Sequence, residues 1–437
     1  METKDYLNQL EEDRQDLVDN LQEKGITGLT GDETFTTLVP EVLNIPSGGG
    51  TVEAPYNDVI FYDYDGTRLY SYTKSEFLAL TEMPANPEHE GLSAQGWNWT
   101  LSDAKEYVTT NGILDIGQMC VTSDNSIKIY MTLSNERLSP KIGFAINGTA
   151  TIEWGDNTTS TVTGTSTSTV VNTEHTYSSG GKYVIKIKST STIYLTGNSS
   201  DSNLITATYS SMYYKCAVDK IELGNNVDLG NYCFYYMYNL KAVNIPYGIS
   251  AIREKIFASC YSLKHYTIPT SVTTINYNVA TTPYSLESIS YPKDMQLVVS
   301  FQSHYLLKRL TLTKNKTGYG NNFQSCYTLK ELILPNDLTT ISSSSLNGCV
   351  SLTKLFIPAT VVTIQVGGFQ YCRGMKCYDF STHTTIPTLY NGVFEGIQSD
   401  CKIVVPDDLY ETWKTTSNWS TYSSYIIKKT DWDALNS

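Results

Sequence analysis

Long apolar runs, basic clusters and a secretory signal are all missing from this sequence of 437 residues. No stretch approaches the roughly 18 apolar residues that a membrane-spanning helix needs, so membrane insertion is not expected. The N-terminus, METKDYL, has neither a basic region nor an apolar region of the signal-peptide kind. We therefore expect a protein that does not use the secretory route by itself.

Charge is scarce and predominantly negative. Charged residues make up 17% of the chain, and 31 basic against 44 acidic residues give a net charge of −13. An acidic chain without a basic cluster is a poor match to nucleic acid or to anionic membrane surfaces. The 33 tyrosines and the abundant serine and threonine are typical of β-rich proteins with outward-facing surfaces. Together with the missing signal, they favour a protein that leaves the cell as part of an assembled particle.

Catalytic patterns are also scarce, with one short exception. The segment Asp63-Tyr-Asp65-Gly-Thr67 resembles the first motif of haloacid-dehalogenase-type phosphatases, in which the first Asp is the nucleophile and the second the acid/base. That family also needs a later Ser/Thr, a Lys and an acidic pair, and the one Asp-Asp pair, 407–408, lies beyond two other predicted domains. Asp65-Gly66 between two alternating aromatic runs instead predicts a tight β-hairpin. The sequence thus predicts no enzyme, no catalytic residue and no cofactor.

The nine cysteines form a repeat signature and not a disulfide or zinc pattern. Cys326, Cys349 and Cys372 are each 23 residues apart, without the close pairs and histidines that a zinc site needs. This spacing predicts small buried thiols inside a repetitive core. Asp156 and His175 are interpreted as turn and strand-end residues, so no metal site is predicted.

Residues 4–24 predict one helix that ends before Gly25. Its apolar residues form a narrow stripe with Arg14 at the missing core position, which is typical of a short coiled-coil seam. We expect this stripe to mediate oligomerisation with copies of the chain or with a partner, a trimer being favoured, and the alternative is a helix packed on its own domain. The predicted oligomerisation residues are Leu7, Leu10, Leu17 and Leu21.

The segment that follows supports an attachment role for residues 1–46. Leu-x-x-Lys-Gly-Ile, Glu33-Thr-Phe35 and Leu38-Val-Pro-Glu-Val-Leu-Asn-Ile45 resemble the N-terminal segment of tail and fibre-type structural proteins of phages and prophages of Gram-positive bacteria. The resemblance covers about residues 4–46 and implies docking to a virion. The glycine triplet within residues 47–51 is interpreted as a flexible hinge.

Two further domains are predicted before the repeats. Residues 52–138 combine helix starts with strand patterns and are predicted to form a small α+β domain. In residues 139–200, the turn Trp154-Gly-Asp156 precedes His175-Thr-Tyr177 and a strand led by Tyr183. This order resembles the PKD-type immunoglobulin-like module, which implies a β-sandwich.

An internal repeat occupies most of residues 201–437. Copies such as LKAVNIPYGISAIREKIFASC from Leu240 and LKELILPNDLTTISSSSLNGC from Leu329 align in register, with prolines 23 residues apart at Pro246, Pro269 and Pro292. One copy has too little apolar surface to fold alone, so the copies must stack into a solenoid. The pattern resembles the BspA-type leucine-rich repeat, closed by a C-terminal cap that contains Trp413 and Trp419.

An aromatic cluster at the start of the array supplies the candidate receptor contacts, because aromatic faces bind sugars and anchor protein interfaces. The alternative is that at least half of these rings point into the first coils. Trp97 is added because it alternates with Trp99, which leaves one ring of the pair free to face solvent. The candidate contacts are Tyr209, Tyr213, Tyr214, Tyr232, Tyr235, Tyr236 and Trp97.

The sequence therefore predicts a multidomain, mainly β protein: a coiled-coil-like helix, a small α+β domain, an Ig-like sandwich and a leucine-rich-repeat solenoid. We expect a phage virion protein, a tail fibre or receptor-binding component, located on the virion. Its N-terminus would bind other virion proteins, and its repeats would bind a host cell-surface glycan or protein. The alternatives are a head decoration protein, a bacterial surface adhesin and a tail-borne glycan hydrolase.

Overall fold

A computed structural model describes most of one compact unit, Tyr56–Ser437. The described residues are 57–198, 201–202, 204–206, 211–275, 285–293, 295–297, 301–302, 304–312, 314–315 and 323–436. The predicted N-terminal helix with Leu7, Leu10, Leu17 and Leu21, the hinge 47–51 and Tyr209 all lie outside these residues. Within the described residues, no helix combines the length and apolarity that crossing a bilayer requires.

Residues 57–122, here called the α/β module, form a four-stranded sheet of order β2-β1-β4-β3. The first two strands form the predicted hairpin, antiparallel from Val59↔Tyr72, and β1 also pairs in parallel with β4. At the turn, the Thr67 amide donates to the Asp65 carboxylate, and Gly66 has φ +94°. The elements are β1 Val59–Tyr62, β2 Arg68–Tyr72, α1 Lys74–Ala79, β3 Leu92–Trp97, α2 Leu101–Asn111 and β4 Leu114–Thr122.

Both helices of the module begin at a threonine cap. Thr73 and Glu76 form a reciprocal capping box at α1, and Thr100 accepts from the Asp103 amide at α2. The helices pack their apolar faces on the sheet through Phe77 and Val108. This packing fixes the C-terminal end of α2.

A nine-stranded sheet follows, in the order β14-β9-β6-β8-β5-β13-β15, with β7 and β12 also paired to β6. It runs across the predicted segment limits at 138/139 and 200/201, because β5 pairs with both β8 and β13. The elements are β5 Ile127–Leu133, β6 Lys141–Glu153, β7 Thr159–Glu174, β8 Gly181–Lys188, β9 Ile193–Leu195, β10 Gly197–Asn198, β11 Asp201–Ser202, β12 Ile205–Thr206, α3 Ser211–Cys216, β13 Val218–Glu222, β14 Val227–Leu229 and β15 Ala242–Val243.

An aromatic stack closes one end of this sheet. The His175 ring stacks on buried Trp154 with centroids 4.9 Å apart, and its Nε2 lies 2.7 Å from Asp156 Oδ2. The Tyr177 hydroxyl donates to the Trp154 carbonyl at 2.7 Å. These contacts join the Trp-Gly-Asp turn to the His-x-Tyr segment and give Asp156 and His175 the structural roles predicted for them.

The repeat array continues from β15 as short parallel strands. Pairing partners are one repeat apart, as in His265↔Ser288 and Lys354↔Cys377. The strands are β16 Ala251–Ile252, β17 His265–Thr267, β18 Thr274–Ile275, β19 Ser288–Ser290, β20 Gln296–Leu297, β21 Arg309–Thr311, β22 Lys314–Asn315, β23 Glu331–Ile333, β24 Thr340–Ile341, β25 Lys354–Phe356, β26 Thr363–Ile364, β27 Cys377–Asp379 and β28 Thr388–Leu389.

A cap of aromatic residues closes the array. The rings of Trp413 and Trp419 lie 5.2 Å apart and both pack on Phe380. This burial of apolar surface ends the solenoid core. The cap contains β29 Lys402–Val405, α4 Tyr410–Thr415, β30 Ile426–Lys428 and α5 Lys429–Leu435, with two 3-10 helices, Asp407–Leu409 and Trp419–Tyr422.

The repeated cysteines are buried free thiols, as predicted. Each donates to a carbonyl of the preceding coil: Cys326 Sγ to Phe301, Cys349 Sγ to Phe323 and Cys372 Sγ to Leu346, at 3.0–3.1 Å. A thiol at this position both fills the core and satisfies a buried carbonyl. No group of three or more potential metal ligands occurs in the described residues.

Candidate ligand groove on the repeat array

Each main strand of the array turns alternate side chains inward and outward. The central residue of each strand, such as Tyr266, Leu332 or Leu355, is buried in the solenoid core. The residue after it points outward, by the period of two that strands impose. In successive coils this outward column reads Asn244, Thr267, Ser290, Thr311, Ile333, Phe356 and Asp379.

The α/β module covers the first part of this outward face. Asn98 donates through Nδ2 to the carbonyls of Ile268 and Ser290, both at 3.1 Å. Trp99 Nε1 donates to the Tyr291 carbonyl, and the Tyr107 hydroxyl donates to the Leu312 carbonyl. These donors step along the coils in order, so the module follows the solenoid axis.

Close approach of the two surfaces depends on a glycine. A Cβ on Gly117 would lie 2.0 Å from Thr267 Oγ1, a distance that no side chain tolerates. Beside it, the ring of Tyr62 stacks on His265 with centroids 4.7 Å apart. Burial lowers the pKa of His265 to about 3, so its ring is neutral, bonded to Ser288 and Thr267.

Arg309 places a buried charge at this interface. Its side chain is 1% exposed, and its Nε lies 3.1 Å from Asp115 Oδ1. The two terminal nitrogens donate to the carbonyls of Asn57 and Asp58 at 2.6 and 2.7 Å. Burial raises the pKa of Asp115 to about 6, although the Arg309 charge lowers it.

The α/β module covers the outward face of the array only as far as the C-terminus of α2, and a groove begins there. A cavity of about 700 Å³ lies between the end of α2 and the strands β23 and β25. We call it the groove, and define it by Asn111, Ile113, Lys330, Ile333, Phe356 and Thr360. Its volume is in the range of ligand pockets, roughly 300–1,000 Å³.

The polarity of the outward column is reversed at the groove. Under the module the column is polar and buried, with Asn244, Thr267, Ser290 and Thr311 each 6% exposed or less. In the groove it is apolar and open: Phe356 is 41% exposed, and Ile333 is half-buried. On solvent exposure alone, apolar residues would be expected at the covered positions and polar residues at the open ones. Exposed apolar groups in a concave site are typical of recognition surfaces.

Lysines at the second position of several coils form a column that borders the groove. In the other coils that have this lysine, a carboxylate lies close to its ammonium group. Lys241 lies 3.3 Å from Asp219, and Lys264 and Lys308 lie 3.5 and 2.5 Å from Glu287. Lys376 pairs with Asp400. Lys330, in the same column, lies in the groove. No carboxylate of a described residue is within 4 Å of its ammonium, because the next coil presents Thr353 at this position.

Three of the predicted receptor contacts, Trp97, Tyr214 and Tyr232, are buried, which corrects their assignment. Trp97 is 8% exposed, its Nε1 donates to the Pro84 carbonyl, and its ring packs on Phe61. Tyr214 is 5% exposed, and its hydroxyl accepts from the Ser139 amide. The rings of Trp97 and Tyr214 are in the core of the folded chain.

Only some of the other candidate tyrosines that the structure describes lie against one another. Tyr232 is 9% exposed and bonds Glu254, while the rings of Tyr235 and Tyr236 stack 3.9 Å apart and remain half-buried. The half-buried Tyr213 hydroxyl accepts from the Ser134 amide. None of these tyrosines lines the groove.

The phosphatase-like segment does not form a catalytic constellation in the described residues. Asp63 is buried in the hairpin loop, accepts from the Tyr64 amide and lies 3.0 Å from His89 Nε2. Burial raises the pKa of Asp63, and the nearby charge of Asp65 raises it further. The pair closes the loop of the module and does not face the groove.

The residues of the groove were missed at the sequence level, although a signal was present. Reading the aligned copies by column, and not only by period, isolates Ile333 and Phe356 as apolar residues at a polar position. The same comparison isolates Lys330, whose neighbour is Thr353 where another coil has Glu287. Asn111 and Ile113 carry no such signal, because only the packing of α2 places them there.

Comparison with known families identifies the repeats. The model of the BspA type leucine rich repeat region matches residues 206–322 and 298–418, with six copies. The C-terminal region therefore consists of BspA-type leucine-rich repeats, as predicted. A search of curated proteins finds no match.

Solved leucine-rich repeat structures resemble part of the chain. A leucine-rich repeat protein from Bacteroides ovatus is 18% identical, with a TM-score of 0.36, and the match covers 50% of this chain and 68% of that one. A leucine rich cell surface protein from Faecalibacterium prausnitzii is 16% identical, with a TM-score of 0.24, covering 46% and 72%. The pneumococcal vaccine antigen PcpA is 16% identical, with a TM-score of 0.24, covering 46% and 64%.

Proposed function

We propose that this protein is a non-catalytic recognition protein that binds a cell surface through its repeat array. The observation that carries the proposal is the groove, where Phe356 is exposed and Ile333 half-buried at a column that is polar elsewhere in the array. A rigid solenoid with a concave apolar site is suited to binding a ligand without rearrangement.

The finer proposal is a virion protein of the tail-fibre or receptor-binding type. It is supported by the resemblance of residues 4–46 to phage tail and fibre proteins and by the PKD-like order of Trp154, Asp156, His175 and Tyr177. On this proposal the N-terminus binds other virion proteins, the chain forms a homo-oligomer, and the repeats bind a host glycan or protein. Several copies per particle would strengthen weak single contacts.

A tail-borne glycan hydrolase is the alternative of a different class. Such an enzyme needs two carboxyl groups about 5–9 Å apart on either side of the scissile bond. Glu331 is the one acidic residue among those that line the groove, and it lies 3.5 Å from Arg309. We therefore propose binding and not hydrolysis. A head decoration protein or a bacterial surface adhesin would use the same groove, but from the phage head or from the surface of a bacterium.

The test compares the full chain with residues 56–437, which form one compact unit. Both proteins are labelled and incubated with a panel of bacterial cells, and the assay for the fragment also includes phage adsorption. We expect both to coat the same strains, and the fragment to block adsorption without incorporation into particles. Binding by neither protein to any strain would contradict a surface-recognition function.

A further inference from the structure

We propose that the groove binds an anionic glycan, with one sugar ring packed on Phe356 and a carboxylate or phosphate group at Lys330. This inference rests on the proposed function and adds the chemistry of the ligand. The groove combines a cation without a carboxylate partner among the described residues, an exposed aromatic ring and a rim of neutral hydrogen-bonding side chains. Lys330 and Phe356 each differ from the other residues of their columns, Lys330 in lacking a carboxylate partner among the described residues and Phe356 in being aromatic and exposed.

The cation comes from the lysine column. Four other lysines of this column each lie against a carboxylate of the solenoid, whereas Lys330 is uncompensated among the described residues. Lys354, on the other side of the groove, keeps Asp379 at 3.8 Å. An exposed, unpaired ammonium on a chain of net charge −13 is a local site that selects anions.

The aromatic ring supplies the apolar contact. Phe356 follows the buried Leu355 and projects from β25 into the groove beside Ile333 and Ile113. The apolar face of a sugar ring packs on such a surface and removes it from water. Phe356 is tolerated at this outward position in the protein without ligand because its ring remains partly covered.

The rim favours a sugar over an acidic peptide. Thr110, Asn111, Asn336, Thr353 and Thr382 border the cavity with hydroxyl and amide groups, which both donate and accept hydrogen bonds, as sugar hydroxyls do. A peptide with several carboxylates would require more than the two lysines present there.

The strands of the groove add backbone groups of the same kind. In the described part of the array, no backbone hydrogen bond joins β23 to β25, although each pairs with its other neighbour. Their facing edges therefore keep donors and acceptors that hydroxyl groups can satisfy.

The experiment measures binding of the full chain to three defined probes by calorimetry at low and high salt. The probes are oligogalacturonate, phosphomannan and neutral dextran, which separate a sugar polymer with carboxylates, one with phosphates and one without charge. We expect binding of at least one anionic probe, no binding of dextran, and weakening in high salt. Lys330→Thr and Phe356→Ala should each weaken binding on the order of tenfold.

Two variants separate the role of Lys330 from general charge effects. Thr353→Glu places a carboxylate beside Lys330, as Glu287 lies beside Lys264, and should abolish binding with little effect on the fold. Lys264→Thr removes a compensated lysine of the same column and should leave binding unchanged.

The outcomes distinguish the inference from the function on which it rests. Anionic-probe binding that is insensitive to Lys330→Thr, Thr353→Glu and Phe356→Ala overturns the inference. Cell binding that Phe356→Ala abolishes, together with no binding of either anionic probe, also overturns it but retains the recognition function with a protein ligand. Absence of both cell binding and probe binding overturns both.

Discussion

Arg309 Nε lies 3.1 Å from Asp115 Oδ1, in a contact that joins a repeat strand to the central strand β4 of the α/β module. Both side chains are nearly inaccessible to solvent, and the Arg309 guanidinium also binds the chain at Asn57 and Asp58. Together with the hydrogen bonds of Asn98, Trp99 and Tyr107, this contact fixes the position of the module on the array, and hence where the groove begins.

Arg309→Met should destabilise the fold by about 3–5 kcal/mol, because it leaves the buried Asp115 without its counter-ion. Urea denaturation followed by tryptophan fluorescence measures this. Lys308→Met, at a half-exposed neighbouring position, is the matched control and should change the free energy of unfolding by less than about 1 kcal/mol. Equal losses in the two variants would refute a special role for Arg309.

The effect of Arg309→Met should also depend on pH. The folded-state pKa of Asp115, about 6, is above that of an unfolded Asp, so its contribution to stability is present at low pH and lost as the pH rises through 6. Loss of Arg309 raises this pKa further. The variant should therefore be more destabilised, relative to the native chain, at about pH 7.5 than at about pH 4.5. Adding Asp115→Asn should remove this pH dependence, and its persistence would point to another group.

Gly117→Ala should loosen the module from the array. The added Cβ would lie 2.0 Å from Thr267 Oγ1 and 2.8 Å from Thr267 Cβ, which predicts a loss of roughly 1–3 kcal/mol. Gly181→Ala, where the nearest atom is 3.6 Å away, is the control. Thermal unfolding measures both. Thr267→Gly should restore part of the stability in the Gly117→Ala background, and no restoration would place the clash elsewhere.

Of the nine thiols, Cys216 should be the one that reacts quickly with a thiol reagent in the folded protein, because the other eight are buried. Burial also raises the pKa of Cys326 and of Cys372 to about 12, so their reactive thiolate is scarce at neutral pH. Reagent titration with and without denaturant counts the accessible thiols. Rapid reaction of three or more thiols in the native protein would contradict the packed cysteine column.

A fragment that begins at residue 201 should not fold as an independent solenoid. The strands β13 and β14 at its start take their partners β5 and β9 from the preceding segment. Without them, sheet edges and the apolar residues Val218 and Ile221 would be exposed. Circular dichroism and size exclusion should show aggregation for residues 201–437 and a compact monomeric unit for residues 56–437, and equally compact behaviour would refute the shared sheet.

The sequence was sufficient for features that repeat or that depend on neighbouring residues. The period of 23 residues predicts the stacked coils, and Asp65-Gly66 between aromatic strands predicts the hairpin. The cysteine spacing predicts buried thiols, because a residue that recurs once per coil occupies the same place in each coil.

Contacts between distant segments were beyond the reach of these patterns. Nothing near Trp97 in the chain shows that its ring is covered by Phe61 or that its Nε1 is bound by Pro84. Likewise, β4 can pack on Thr267 only because Gly117 has no side chain, and Thr267 belongs to a strand that lies 150 residues later in the chain. The groove exists because α2 ends at Asn111 and is packed over the array there, which is a consequence of tertiary packing.

Cell binding by full-length Phe356→Thr tests whether the groove is the recognition surface, because the substitution restores the polar character of the column that contains Phe356. Flow cytometry compares this variant with the native chain and with Val366→Thr, a control at an exposed apolar position, 52% exposed, outside the groove. Phe356→Thr should lose binding while its unfolding temperature stays within a few degrees, and Val366→Thr should bind normally. Native-like binding by a folded Phe356→Thr protein would show that the groove is not the recognition surface.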